Sequence, residues 1–473
     1  MHEATLPVRA RTQSVSTSTD VPWFLKLDHE NEVVYETTDR PLLKSGSLTG
    51  LVEQLTRHDR LDLTFNETFL ITYPTFVSAT DLFDALLQRF HVDPPGQLTQ
   101  SEMQLWTQHK QKAIRLRVVN IMKTWLERFW MEPREEATTD FLRKMHAQIK
   151  TSADVMETPT APQLLSAIDQ RIQGQEITKR LATPPNSNIP KPITPKNMKK
   201  LKILDLDPTE LARQLTIIEF NHHARIRPNE CLSQKWKKRR SNSTEPSTGV
   251  NAMILHSNRL ANYVGELVLA QDELKKRVSM IKLFVQAADV CRSMNNYATL
   301  MSIISGLGQS PVFRLRQTWG LVNPRIRNLL EELRDLMSSE KNWAKYREVL
   351  RQASPPCVPF LGIYLTDLTF IDDGIPDLTQ SGQINFTKRI KVAEVLQDIQ
   401  QYQNMPYNLQ PVPEIQDFLI RNLRATKDVS DMYDRSLQLE PRMANEEIVV
   451  RRGAHTATGS NMSSVIIASM AMR

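Results

Sequence analysis

The chain has 473 residues, 40% of them hydrophobic, and 60 Lys and Arg against 53 Asp and Glu give it a net charge of +7. Such a length predicts two or three domains with real cores, and only 14 Gly argues against barrels and Gly-rich cofactor folds and for long helices. Cys231, Cys291 and Cys357, with no CxxC spacing, exclude a disulfide framework and a zinc site, while the mild positive charge selects no class of partner by itself.

Residues 1–20 are rich in Ser and Thr and read as a disordered lead-in. Met1-His2-Glu3 opens no signal peptide, and the apolar stretch 465–472 is too short to span a bilayer, so the expected setting is soluble and intracellular. From 21 to 150 the pattern is helical. Leu48, Leu51, Val52 and Leu55 make one apolar stripe, and Leu82, Phe83, Leu86, Leu87 and Phe90 repeat it. Ile114, Val118, Ile121, Trp125 and Phe129 continue the pattern until Pro133. Residues 151–203 hold seven prolines around one short amphipathic segment and read as a linker.

A second domain, 204–440, opens at Asp207-Pro208-Thr209-Glu210: a cap residue, Pro in the first turn and an acid close behind. The stripe Leu211, Leu215, Ile218 follows, and further long helices are predicted over 253–270, 278–307 and 384–402. Residues 441–473 read as a polar tail. "SGLGQS" at 305–310 is a helix stop rather than a phosphate cradle. The adjacent His222 and His223 fall on different faces of a helix and read as its surface end, not as a metal site. "KWKKRR" at 235–240 reads first as a solvated loop, with localisation, nucleic-acid and protein-docking roles left open; Trp236 alone is thin support for a nucleic-acid patch. No P-loop, HExxH or GxSxG is present, so covalent catalysis is unsupported. A helical protein that acts by binding another protein remains.

One stretch, "PPCVPFLGIYLTDLTFIDDGIPD" at 355–377, is anomalous. Its apolar run ends in Asp372-Asp373-Gly374. If the run is helical, two carboxylates sit in the last turn, where the macrodipole penalises each by about 0.3–1 kcal/mol.

That stretch, with "LDLDPTELARQLTIIE", "MNNYATLMSIISGLGQSPVFRLRQTW" and "INFTKRIKVAEVLQDIQQYQNMPY", resembles the catalytic domain of the Ras guanine-nucleotide exchange factors, in the family's order. "LLKSGSLTGLVEQLT" and "NETFLITYPTFVSATDLFDALLQRF" resemble the family's N-terminal exchanger motif, so about three quarters of the chain is covered. The resemblance implies an all-α protein of two helical domains. The exchanger-motif domain would pack on a helical bowl from which a helical hairpin protrudes, with arms at 360–374 and 384–402.

It also implies a function: exchange of nucleotide on a Ras-like small GTPase, without covalent chemistry, cofactor, metal or nucleic acid. Asp373 would reach toward the phosphate-binding loop and take ground that phosphate oxygens held. Thr369 would help occlude the magnesium position, and Phe360 would hold the hairpin upright. Asn296, Asn342, Trp343, Thr366 and Lys391 would face the GTPase, while a buried helix-pairing amide at Asn296 and aromatic packing at Trp343 stay open as the other readings of those two residues. This chain departs from relatives that carry a longer Glu at 373, a bulkier Leu at 369 and an arginine at Leu255. The expected location is cytoplasmic, with recruitment to the plasma membrane through the GTPase or other factors. The alternative is a GTPase-binding scaffold that has lost exchange.

Overall fold

The computed structural model describes residues 21–36, 42–175, 189–237, 249–424 and 429–441, and among these described residues the fold is all-α apart from three short strands. The lead-in 1–20 and nearly all of the tail 441–473 lie outside the described residues, as do residues 238–240 of the basic run. Two compact units are present. One comprises Met1–Asn66 and Ala79–Gln175; the other comprises Glu67–Ser78 and Glu176–Arg473.

In the first unit, strands Val33–Tyr35 and Leu43–Gly46 pair antiparallel, with Val33 opposite Gly46. Ser47 then caps helix Leu48–Leu55, its hydroxyl accepting from the Gly50 N–H at 2.9 Å. The expected stripes are buried at Leu51, Leu55, Leu82, Phe83, Leu86, Phe90, Ile114, Val118 and Trp125. Between helices Gln100–Trp106 and Lys112–Thr124 the chain makes a π turn, Thr107–Gln111. Lys110, in that turn, is 1% exposed, and its Nζ donates to Asp28 Oδ1 at 2.6 Å and to the Lys26 carbonyl at 2.7 Å. Arg89 joins the same network through Asp28 (2.9 Å) and the buried Glu53 (3.0 Å).

Residues 151–175 correct the linker expectation. Helices Ala153–Met156 and Ala161–Ile172 bury Val155, Leu164 and Ile168 in this first unit. Pro162 sits in a first helical turn, where a missing N–H costs nothing, so it starts an element rather than breaking one.

The second unit opens as expected with helix Pro208–His223, where the Asp207 side chain accepts from the Thr209 N–H at 2.8 Å. Its core joins that helix to Gly249–Leu269, Leu274–Ser293 and Tyr297–Gly308. The helix over "SGLGQS" does end at Gly308, and Gly306 has a second duty: a Cβ there would lie 2.4 Å from the Ala261 carbonyl oxygen. The single helix expected over 278–307 is instead two, broken where Asn295 adopts left-handed backbone (φ 57°).

The histidines also differ from expectation. His223 is fully buried, and half-buried His222 stacks on His256 at 4.7 Å; burial, reinforced by the His256 charge, pulls His222 down to about 4. Near the end of the described chain, Glu440 accepts from the Gln317 and Thr318 N–H groups at 3.0 Å each and fastens helix Val429–Leu439. Among the described residues no helix is long and apolar enough to cross a membrane, and no group of three or more His, Cys, Asp or Glu could hold a metal ion.

Candidate functional site on the helical hairpin

Helices Leu361–Gly374 and Phe386–Gln401 form an antiparallel pair. Their connection closes tightly: Leu378 and Ile384 bridge, the Thr379 N–H donates to the Gln383 carbonyl at 2.8 Å, and Gly382 takes φ 76°. The outgoing arm buries Leu361, Tyr364, Leu365 and Leu368; the return arm buries Phe386, Val392, Leu396 and Ile399.

The root is built around Phe360, which is 4% exposed. Its N–H donates to the Tyr346 hydroxyl at 2.8 Å, and its ring meets Trp343 with centroids 5.4 Å apart. Trp343 is delivered there by a left-handed turn in which Lys341, Asn342 and Trp343 have φ of 48°, 56° and 61°. Left-handed backbone costs roughly 1–2 kcal/mol per residue and persists only where its surroundings fix it. Arg347 ties this turn to the arm, donating to the Asn342 carbonyl at 2.9 Å and holding Asp367 with two bonds of 2.9 Å. Just upstream of Phe360, Val358 donates to the Asn295 carbonyl (3.0 Å) and accepts from the Tyr297 N–H (2.9 Å), so the helix break at 295–296 also anchors the root.

At the tip, the conflict between charge and helix end is answered from the other arm. Lys388 and Arg389 come from the first turn of the return arm and are 4% and 1% exposed. Lys388 Nζ lies 3.6 Å from Asp372 Oδ1 and 3.1 Å from Asp377 Oδ1, and it donates to the Asp372 carbonyl at 3.3 Å. One cation thus serves two acids and an orphan C-terminal carbonyl. Arg389 pairs with Asp377 at 2.7 Å and lies 5.6 Å from the Phe76 ring centroid. Burial raises the Asp372 carboxyl above its ordinary value despite Lys388. At Asp377 burial also pushes upward, but bonds from Arg389 and Lys388 outweigh it and hold the carboxyl low.

Asp373 stands apart. It is exposed, and its Oδ1 accepts from Gln234 Nε2 at 2.8 Å. A cleft of about 460 Å³ separates the tip from the turn at 231–237; Gln234, Lys237, Asp372, Asp373, Lys388 and Arg389 help to line it. Phe370 and Leu378 present apolar surface on the same hairpin, 67% and 53% exposed.

Residues 210–390 match the RasGEF domain and residues 42–149 match the RasGEF N-terminal motif, together more than half of the chain. The chain belongs to the Ras guanine-nucleotide exchange factor family. Cell division control protein 25 of Candida albicans is 38% identical over 434 residues, which cover 90% of this chain and 32% of that protein. The protein of the same name from Saccharomyces cerevisiae is 32% identical over 453 residues, 90% of this chain and 28% of its own. Ras guanine nucleotide exchange factor J of Dictyostelium discoideum is 34% identical over 411 residues, 86% and 49% respectively. The chain thus spans between 28% and 49% of the length of these relatives.

Of the residues expected to serve a Ras exchange factor, Thr366, Thr369 and Asp373 lie on the outgoing arm, and Lys391 is exposed on the return arm. Phe360 lies at the root, with Asn342 exposed on the turn beside it. For the other two the structure shows the packing alternative. Asn296 is 0% exposed: its Oδ1 caps helix Tyr297–Gly308 through the Thr299 N–H (3.0 Å), and its Nδ2 donates to the Thr216 and Thr299 hydroxyls at 2.8 Å each. The amide is spent on shaping the corner, not offered to a partner. Trp343 is 8% exposed and props Phe360 rather than facing outward.

Several site residues escaped the sequence reading. Lys388 and Arg389 were legible in principle, as adjacent cations opposite three acids across a short connection. Gln234 carried no such signal, because its contact with Asp373 joins residues 139 apart.

Proposed function

We propose that this chain promotes release of guanine nucleotide from a Ras-like small GTPase, and that its hairpin tip opens the nucleotide site. The observation that supports the reading is the tip surface: exposed Asp373, with exposed Phe370 and Leu378, on an arm whose root is pinned by Phe360, Trp343 and Arg347. The family membership and the name of the Dictyostelium relative favour the same partner class. Asp373 brings a carboxylate to where phosphate oxygens sat. The Thr369 hydroxyl bonds back to the Leu365 carbonyl at 2.8 Å, so what it offers near the magnesium position is a methyl group. Lys391 and Asn342 supply polar contacts to the switch regions.

No bond is made or broken in this process. Binding of the factor and of nucleotide to the GTPase oppose one another, and that coupling is reciprocal. Accelerating release about 10⁵-fold needs roughly 7 kcal/mol of differential stabilisation along the release path. Interface burial and the tip share that demand. The test is release of fluorescent GDP from a panel of Ras, Rap and Rho-type GTPases. Acceleration on a Ras-like member is expected. Tight binding to the nucleotide-free GTPase with no acceleration would make the chain a scaffold and overturn the reading.

A further inference from the structure

We propose that Gln234 is a positioning residue for nucleotide release: it holds the Asp373 carboxylate by one oxygen and leaves the other for the GTPase. The inference rests on the role given to Asp373 above. Of the three tip carboxylates, Asp372 and Asp377 are engaged by Lys388 and Arg389, whereas Asp373 receives a neutral amide donor at 2.8 Å. Among the described residues its second oxygen, Oδ2, has no hydrogen-bond partner.

The backbone points the same way. Ser233 and Gln234 have φ of 50° and 53°, left-handed conformations that non-glycine residues rarely adopt in succession. They are fixed between two anchors, Leu232 at 1% and Trp236 at 6% exposure. That turn aims the Gln234 side chain at the hairpin tip, so the strain is spent on delivering one amide to one carboxylate. The choice of a neutral donor also has a chemical reason. Lys235 and Lys237 follow closely in the chain, and Lys237 lines the same cleft. A cation in place of Gln234 would form an ion pair with Asp373 and cancel the charge that mimics phosphate. An amide orients the carboxylate and leaves its charge intact, which lowers the freedom Asp373 must lose on docking.

The test is a double-mutant cycle on the full chain, with Gln234→Ala, Asp373→Ala and the double variant. Maximal GDP-release rate and the half-saturating GTPase concentration are measured for each. Gln234→Ala should lower the maximal rate about three- to tenfold, the range of one hydrogen bond, with half-saturation near wild type. In the Asp373→Ala background it should have no further effect. Gln234→Asn, one methylene short, should behave like Ala, and Gln234→Glu should fall at least as far, because it sets two carboxylates together. Ser233→Gly, which suits left-handed backbone, should keep the wild-type rate.

Losses that add in the double variant, or a wild-type rate in Gln234→Ala, would overturn the positioning role and leave the proposed function standing. Absence of release by the wild-type chain would overturn both. A full rate in Asp373→Ala would remove the role of Asp373 and, with it, that of Gln234.

Discussion

Asp372 and Asp373 are neighbours in sequence, yet one is half-buried beside Lys388 and the other is exposed beside Gln234. The difference follows from position on the last turn: residue 372 faces the return arm, and residue 373 faces away from its cations. On the role proposed for Asp373, a charge that mimics phosphate would act on the path to the nucleotide-free complex rather than on first docking. Asp373→Ala should therefore lower the maximal release rate while weakening binding to the nucleotide-free GTPase only modestly. Asp373→Asn should match Ala, and Asp373→Glu should keep activity. Thermal unfolding should be unharmed in all three, because losing an acid at a helix C-terminus relieves about 0.3–1 kcal/mol. Full rates in both Ala and Asn would leave steric wedging as the only role of the tip. His222 belongs to the same scale but concerns stability. Burial, then the His256 charge, lower it from an ordinary 6.5 to about 4 in the folded state. The folded chain holds that proton less well than the unfolded one, so its contribution is complete above pH 6.5 and is lost as pH falls through 4. Melting temperature should drop across that window, and His222→Gln should flatten the drop; an unchanged slope in the variant would place the acid sensitivity elsewhere.

At the level of elements, the hairpin depends on how its first turn is filled. A Cβ on Gly362 would lie 2.5 Å from the Phe360 ring tip, and that ring is confined by Trp343. In an open helix Gly→Ala would stabilise by about 0.5–1 kcal/mol through propensity. Here overpacking should win, at about 1–3 kcal/mol. Gly362→Ala should therefore destabilise locally and slow release more than it lowers the melting temperature; a gain in stability with full activity would show that Phe360 is not held tightly. The sequence made the arms themselves legible, because apolar periodicity and the acidic stop both survive in a local window. Other features were not legible, for identifiable reasons. The break at Asn295 needs left-handed backbone, held in part by contacts with the distant Val358 and Ser354 that a local window does not contain. Periodicity alone ran straight through it, since Cys291 and Leu300 on either side are equally buried. Pro162 gave the opposite error, because Pro at a helix start and Pro in a linker look alike until the apolar face finds its partner. Asn296 and Trp343 carry family motifs yet point inward, which motif matching cannot tell from pointing outward.

At the level of the whole molecule, the compact units do not follow the order of the chain. Glu67–Ser78 lies within the stretch that matches the RasGEF N-terminal motif, yet it groups with the unit that contains the hairpin. The physical link is Phe76. Its ring is edge-on to Phe69 at 5.2 Å, and its centroid lies 5.6 Å from the guanidinium carbon of Arg389, the cation that holds Asp377. Arg389 is nearly fully buried, so its charge depends on that carboxylate and on the aromatic face together. Removing the ring would leave the Asp377 pair in place but admit water to one side of it. Phe76→Ala should then loosen the tip more than it weakens the core, and nucleotide release should slow while the melting temperature falls by only a few degrees. Phe76→Leu restores apolar bulk without the ring's quadrupole, so it should recover stability first and release only in part. If Phe76→Ala exchanges at the wild-type rate, the segment shared with the N-terminal motif has no bearing on the tip, and the hairpin is held by its own two arms and its root.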